Sequence, residues 1–152
     1  MRIDLSPGNR PEDLIDAIWA VRHGNHRDLR PEVVRLLSHY DPFVRQEALS
    51  LLFAKWKDVS LRDRLIHILQ NDPDAGVRSR AASALPCVST PGTRREDKQL
   101  LREILLNPAE DDLVRRACYE SLYMITHGRP KLLEDTEDLS VLIQQEWIHT
   151  DD

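Results

Sequence analysis

Apolar residues recur at intervals of three and four along most of the chain. A first stripe holds Leu14, Ile15, Ile18, Trp19 and Val21, and a second Val33, Val34, Leu36 and Leu37. A third runs Val44, Ala48, Leu51, Leu52, and a fourth Leu61, Leu65, Ile66, Ile68, Leu69. Val77, Ala81, Ala84 and Leu85 follow, then Leu100, Leu101, Ile104 and Leu105. Val114, Cys118, Leu122 and Ile125 precede a last group, Leu139, Leu142, Ile143 and Ile148. This spacing buries one face of an α-helix, and no segment sustains the alternation of a half-buried strand. Pro11, Pro31, Pro42 and Pro130 stand where helices can start, since the first turn tolerates proline. The glycines (Gly8, Gly24, Gly76, Gly92, Gly128) fall between apolar runs or in a first turn. The pattern predicts an all-α protein of about eight short helices.

Three of these segments superimpose without a gap. They are Asp41-Pro-Phe-Val44-Arg45-Gln-Glu-Ala48-Leu-Ser-Leu-Leu52, Asp74-Ala-Gly-Val77-Arg78-Ser-Arg-Ala81-Ala-Ser-Ala-Leu85, and Asp111-Asp-Leu-Val114-Arg115-Arg-Ala-Cys118-Tyr-Glu-Ser-Leu122. Their starts lie 33 and 37 residues apart (74 − 41 and 111 − 74), and each follows an apolar helical run. The aspartate suits a helix N-cap. Valine and leucine point to the core, and the small residue between them lets helices approach. The arginine sits one turn in, where its fork can reach a carboxylate of a neighbouring repeat. Arg45, Arg78 and Arg115 repeat in register with Asp41, Asp74 and Asp111. They therefore read as a structural ladder before they read as an arginine row for an acidic ligand.

The triplicate Asp-x-x-Val-Arg-x-x-small pattern at this period resembles HEAT repeats, in particular the short bacterial kind of the phycobilisome-lyase-type group. The resemblance covers about residues 29–127, with about 11–23 as an N-terminal capping helix or degenerate first unit. It implies a single domain over 1–152: a short right-handed α-solenoid of about three to four hairpins whose second helices line a concave face. Residues 130–152 do not match and are expected to form an acidic tail with a helix at about 138–148.

The chain has 152 residues, ample for a core without metals or disulfides. Its net charge of −5 is uneven: residues 131–152 set Lys131 against seven acids, for −6, while the rest carries 20 basic and 19 acidic residues. A non-specific grip on nucleic acid is not expected from this balance. Arginines number 17 against 4 lysines, a surplus that the ladder partly absorbs. Met1 to Arg10 has no apolar run, and no stretch of about 18 apolar residues occurs. A cytoplasmic protein is expected. Cys87 and Cys118 sit in apolar contexts and read as reduced core thiols. The six histidines show no zinc-ligand spacing, so neither metal nor cofactor is expected.

Turning about 100° per residue from the core face of each second helix leads to an outward strip. In the first repeat it holds Gln46, Ser50, Phe53 and Lys57. In the second it holds Ser79, Ser83 and Pro86, with Arg80 alongside, and in the third Arg116, Glu120, Tyr123 and His127. Arg80, Arg116, Phe53 and Tyr123 are residue types of binding hot spots; the plain alternative is a solvated face. Trp56 is expected to pack on the following unit, Trp19 to seal the N-terminal end, and Trp147 to dock the last helix on the third repeat. The stretch Pro86 to Arg94 reads as the longest loop inside the array. Glu134-Asp135-Thr136-Glu137-Asp138 reads as a solvated run, or as a contact for a basic partner. No glycine-rich phosphate loop, nucleophile elbow or His-Glu-x-x-His occurs.

The expectation is a non-enzymatic protein-binding module using its concave face. A narrower version is an immunity or antitoxin-type protein that neutralises a toxin domain. Lesser alternatives are a chromophore lyase or chaperone, and a DNA-glycosylase-like solenoid. A membrane, nucleic acid or small molecule is not the expected partner.

Overall fold

The computed structural model describes residues 2–150, and these form eight α-helices with short 3-10 and π-helical turns. They are α1 (Pro11–Gly24), α2 (Arg30–Leu36), α3 (Pro42–Leu49), α4 (Arg62–Asn71), α5 (Ala75–Val88), α6 (Arg94–Leu106), α7 (Asp112–His127) and α8 (Leu139–Leu142). Among the described residues there is no strand. The fold is a short α-solenoid.

The three repeated aspartates act as helix caps. Asp41 Oδ1 accepts from the Phe43 and Val44 amides, Asp74 Oδ1 from Val77 and Asp111 Oδ1 from Leu113. Each cap satisfies amides that the helix itself leaves without a partner.

Helices α1, α3, α5 and α7 stack in sequence, and α2, α4 and α6 each pack on the helix that follows. The first helices of the hairpins contact one another only weakly. The helices thus form two layers, with the closer stacking among α1, α3, α5 and α7. The core between the layers holds Leu14, Ile18, Val33, Leu36, Val44, Leu65, Val77, Leu85, Leu101, Val114, Cys118 and Leu122, all essentially without exposure.

Two local irregularities change what the repeat register implies. The first follows α3, which continues through Ser50–Lys55 as a π-helical turn. The Trp56 amide reaches back five residues to the Leu51 carbonyl at 2.9 Å. A π-turn accommodates one residue more than an α-turn. Within it, Phe53 is fully buried alongside Leu52, the residue in register with Leu85 and Leu122 of the other repeats. The second lies in α5, which continues to Val88 through Pro86, so the inter-repeat loop is shorter than the proline suggested. Pro86 has no N–H for the Ala82 carbonyl one turn back. The Ser121 hydroxyl of α7 donates to that carbonyl instead, at 2.7 Å.

The ends are closed by non-repeat chain. At the N-terminus, Leu5 is buried and Ile3 packs on the core. The Asp41 amide donates to His39 Nδ1, which leaves Nε2–H to donate to the Pro7 carbonyl at 3.1 Å. Trp19 does not seal this end: it is largely exposed beneath the Arg22 guanidinium. At the C-terminus the expected single helix is instead the four-residue α8, an irregular link and a 3-10 turn at Glu146–His149. Leu139, Leu142 and Ile148 are buried there. Trp147 does meet the third repeat, edge-on to Tyr119 and Tyr123 with centroids 5.5 Å away. Trp56 turns backward, donating from Nε1 to Asn25 Oδ1 at 3.2 Å with Arg27 over its ring.

Candidate partner-binding surface

The ladder arginines bind the inter-repeat turns, and their carboxylate partners are not the cap aspartates. Arg45 pairs through Nε and Nη2 with both oxygens of Asp72, each at 2.9 Å, and its Nη1 donates to the His39 and Tyr40 carbonyls. Arg78 repeats the motif one unit on. It makes a two-pronged contact with Glu110 at 2.8 and 3.2 Å, and Nη1 donates to the Asp72 carbonyl. The Arg78 guanidinium holds the Glu110 carboxyl below its ordinary range. Arg115 has no following repeat and donates to the Leu105 carbonyl, with Asp112 at 3.4 Å. Asp41, Asp74 and Asp111 remain caps. Arg45 and Arg78 thus tie α3 and α5 to the turn ahead of them, and Arg115 ties α7 back to the end of α6.

The expected outward strip divides into three parts. In the first repeat Ser50 and Phe53 are buried, so they are not surface residues; Phe53 lies within the π-turn, which breaks the α-helical count that placed it outward. Gln46 lies half-buried over Gly76, where an added Cβ would come within 2.9 Å of its Nε2. The Gln46 amide thus rests on the first turn of α5 where Gly76 leaves room for it. In the second repeat Arg80 and Ser83 are exposed. In the third, Arg116, Glu120 and Tyr123 are covered by the chain itself. Arg116 donates to the carbonyls of Glu134 and Glu137, and Glu120 accepts from the Leu133 amide at 2.7 Å. Tyr123 stacks on His127 with centroids 4.1 Å apart and meets Trp147 edge-on.

The open surface carries apolar residues that the strip did not include. Phe43 is 64% exposed and Leu113 53%. Both stand two residues after their cap aspartate, in the same register, with Gly76 at that position between them. A large apolar residue recurring off the core face was the readable signal. Met124 is also exposed, beside a cleft of about 290 Å³ that includes Pro86, Arg94 and Ile125 in its lining. Tyr40, next to Asp41, is 75% exposed.

Neither cysteine is exposed on this surface. Cys118 is fully buried and burial pushes its thiol up; Cys87 is half-buried and neither is in a disulfide. Among the described residues no group of three His, Cys, Asp or Glu side chains could hold a metal ion, and no helix is long and apolar enough to cross a membrane.

Stacked hairpins, cap aspartates and an inter-repeat arginine ladder define a helical-repeat protein. A family model for HEAT repeats matches residues 5–86, more than half of the chain, and the chain belongs to that family. Comparison with curated proteins and with solved structures finds no match.

Proposed function

We propose that this protein is a non-enzymatic binding module that engages a partner protein with the second-helix face of its solenoid. HEAT repeats commonly mediate protein–protein interaction, which supports the reading. The single observation that carries it is the pair Phe43 and Leu113. These large apolar side chains stand exposed at equivalent places in the first turns of α3 and α7, and Arg80 of α5 and Met124 of α7 are exposed as well. Exposed apolar and arginine side chains held on a rigid frame are the usual anchors of an interface. In its narrower form the partner is a basic toxin domain and this chain its cytoplasmic immunity protein. The acidic residues of 131–152, net −6, are what would complement a basic partner in that form, since the rest of the chain is close to neutral.

The test is purification of the tagged chain from its native cell beside Phe43→Ala/Leu113→Ala. A stoichiometric protein partner is expected with the parent and is lost from the variant at unchanged helicity. Equal recovery by both moves the interface elsewhere. For the narrower form, a toxin domain should be found encoded beside this chain, and co-expression should protect cells from it. Absence of protection by a folded chain rejects that form alone.

A further inference from the structure

The covered part of the strip shows what α7 holds. Residues 131–134 run as irregular chain across the outer face of α7 and turn at 135–136. The contacts are made largely to main chain. Glu120 accepts the Leu133 N–H, and Arg116 donates to the Glu134 and Glu137 carbonyls. One side chain of the segment is also read: the Lys131 ammonium lies over Tyr119 and Tyr123, 5.9 and 5.8 Å from their ring centres. Leu133 packs against the core and Glu137 pairs with Lys131 at 3.9 Å, while the remaining side chains point away. Leu132 is 79% exposed, and Glu134, Asp135 and Thr136 are exposed.

A carboxylate for an N–H, an arginine for two carbonyls and an aromatic pair for a cation form a receptor for extended peptide. It recognises backbone and one positive side chain, and tolerates most other positions. We propose that the outer face of α7 is a peptide-binding site for an extended segment of a partner protein with a lysine or arginine at the Lys131 position. Residues 131–137 are its resident occupant in cis. The proposal rests on the binding-module reading and specifies a second point of contact.

Tethering explains how the site is regulated. A covalently attached occupant competes at an effective concentration on the order of millimolar. A free peptide therefore binds the parent protein poorly. A partner already anchored at Phe43 and Leu113 gains a comparable local concentration and displaces the strap. Leu133 is the apolar group of the strap that packs against the core, so release gives up that one apolar contact.

The experiment uses the full-length chain, parent and a variant whose residues 131–137 are replaced by seven Gly/Ser residues. The probe is a fluorescein-labelled synthetic peptide of residues 129–138, followed by anisotropy. The replaced chain is expected to bind the peptide at least tenfold more tightly than the parent. Arg116→Ala/Glu120→Ala in the replaced chain should abolish binding, as should Lys131→Ala in the peptide. Equal affinity of parent and replaced chain overturns the proposal, as does binding insensitive to these substitutions. Should the replaced chain not fold, amide exchange of the parent decides. The Leu133 amide is expected to exchange at least a hundredfold faster than those of central α7, and equal protection overturns the proposal. Partner capture that depends on Phe43 and Leu113 without any peptide binding leaves the module reading standing and removes this one.

Discussion

The Ser121 hydroxyl donates to the Ala82 carbonyl across the α5–α7 interface, at 2.7 Å in a buried position. That carbonyl needs an outside donor because Pro86 cannot supply the helical one. A proline inside a helix and a serine on its neighbour are thus one feature. Removing the hydroxyl leaves a buried acceptor unpaired, so Ser121→Ala is expected to cost about 1–3 kcal/mol in urea unfolding. In a Pro86→Ala background the helix regains its own donor. The cost of Ser121→Ala should then fall below about 1 kcal/mol, the coupling expected of groups in contact. Equal cost in both backgrounds would show that the two residues act independently.

The ladder predicts a graded response. Arg45 and Asp72 form a two-pronged pair with both side chains at most 10% exposed. Arg45→Ala leaves the buried carboxylate without its cation, an expected loss of about 3–5 kcal/mol. Arg115 has only a carbonyl and a distant, exposed carboxylate, so Arg115→Ala should cost about 1–2 kcal/mol. Denaturant midpoints of the two variants check the order, and a larger loss at Arg115 would contradict it.

The Arg78–Glu110 pair predicts a pH effect with a definite sign. Hydrogen bonding to Arg78 lowers the Glu110 carboxyl below its ordinary value of 4.5. A carboxyl lowered by folding stabilises the protein above its unfolded value, and that contribution is lost as pH falls through the folded value. Glu110→Gln should therefore reduce stability at neutral pH and flatten its decline below about pH 4.5. Thermal melts of both proteins from pH 7 to 3 read this directly. Parallel curves would remove the ion pair as the cause.

Phe53 and Phe43 predict opposite outcomes for the same substitution. Phe53→Ala empties a fully buried site and should cost about 3–5 kcal/mol. Phe43→Ala removes a side chain that is 64% exposed and should change stability by less than about 1 kcal/mol while weakening partner capture. Chemical unfolding beside the capture assay separates the two roles.

Lys57 follows the π-turn with a φ of 52°, a left-handed conformation that costs a residue with a Cβ about 1 kcal/mol or more. Lys57→Gly relieves that strain but adds unfolded-state freedom, so a net gain of a few tenths of a kcal/mol is expected. A destabilised Lys57→Gly in thermal melts would mean that the lysine side chain makes a compensating contact.

Much of the array was legible from residues alone. The stripe spacing located the helices, and the Asp-x-x-Val-Arg register located the hairpins. Asp41, Asp74 and Asp111 cap the helices that the pattern assigned them. The site was less legible, because a register fixes a rotation only while the helix stays regular. Phe53 was placed outward by counting α-helical turns, and it lies buried within a π-turn, where that count breaks. Arg116, Glu120 and Tyr123 do project from the side of α7 opposite its core stripe. Arg116 and Glu120 are covered by a segment with no periodicity that meets them through its main chain, whereas Tyr123 is met by the Trp147 ring and the Lys131 ammonium. No pattern of side chains could announce that.

The division has a physical cause. Sequence by itself determined the features that act within a few residues: helix periodicity, caps, and the recurrence that makes each hairpin stack on the last. Tertiary structure decided the contacts between groups distant along the chain. Those are the carboxylates that meet Arg45 and Arg78, the hydroxyl that completes the Ala82 carbonyl, and the strap that lies on α7. Each depends on the position of one helix relative to another, set by packing of the whole core rather than by local spacing.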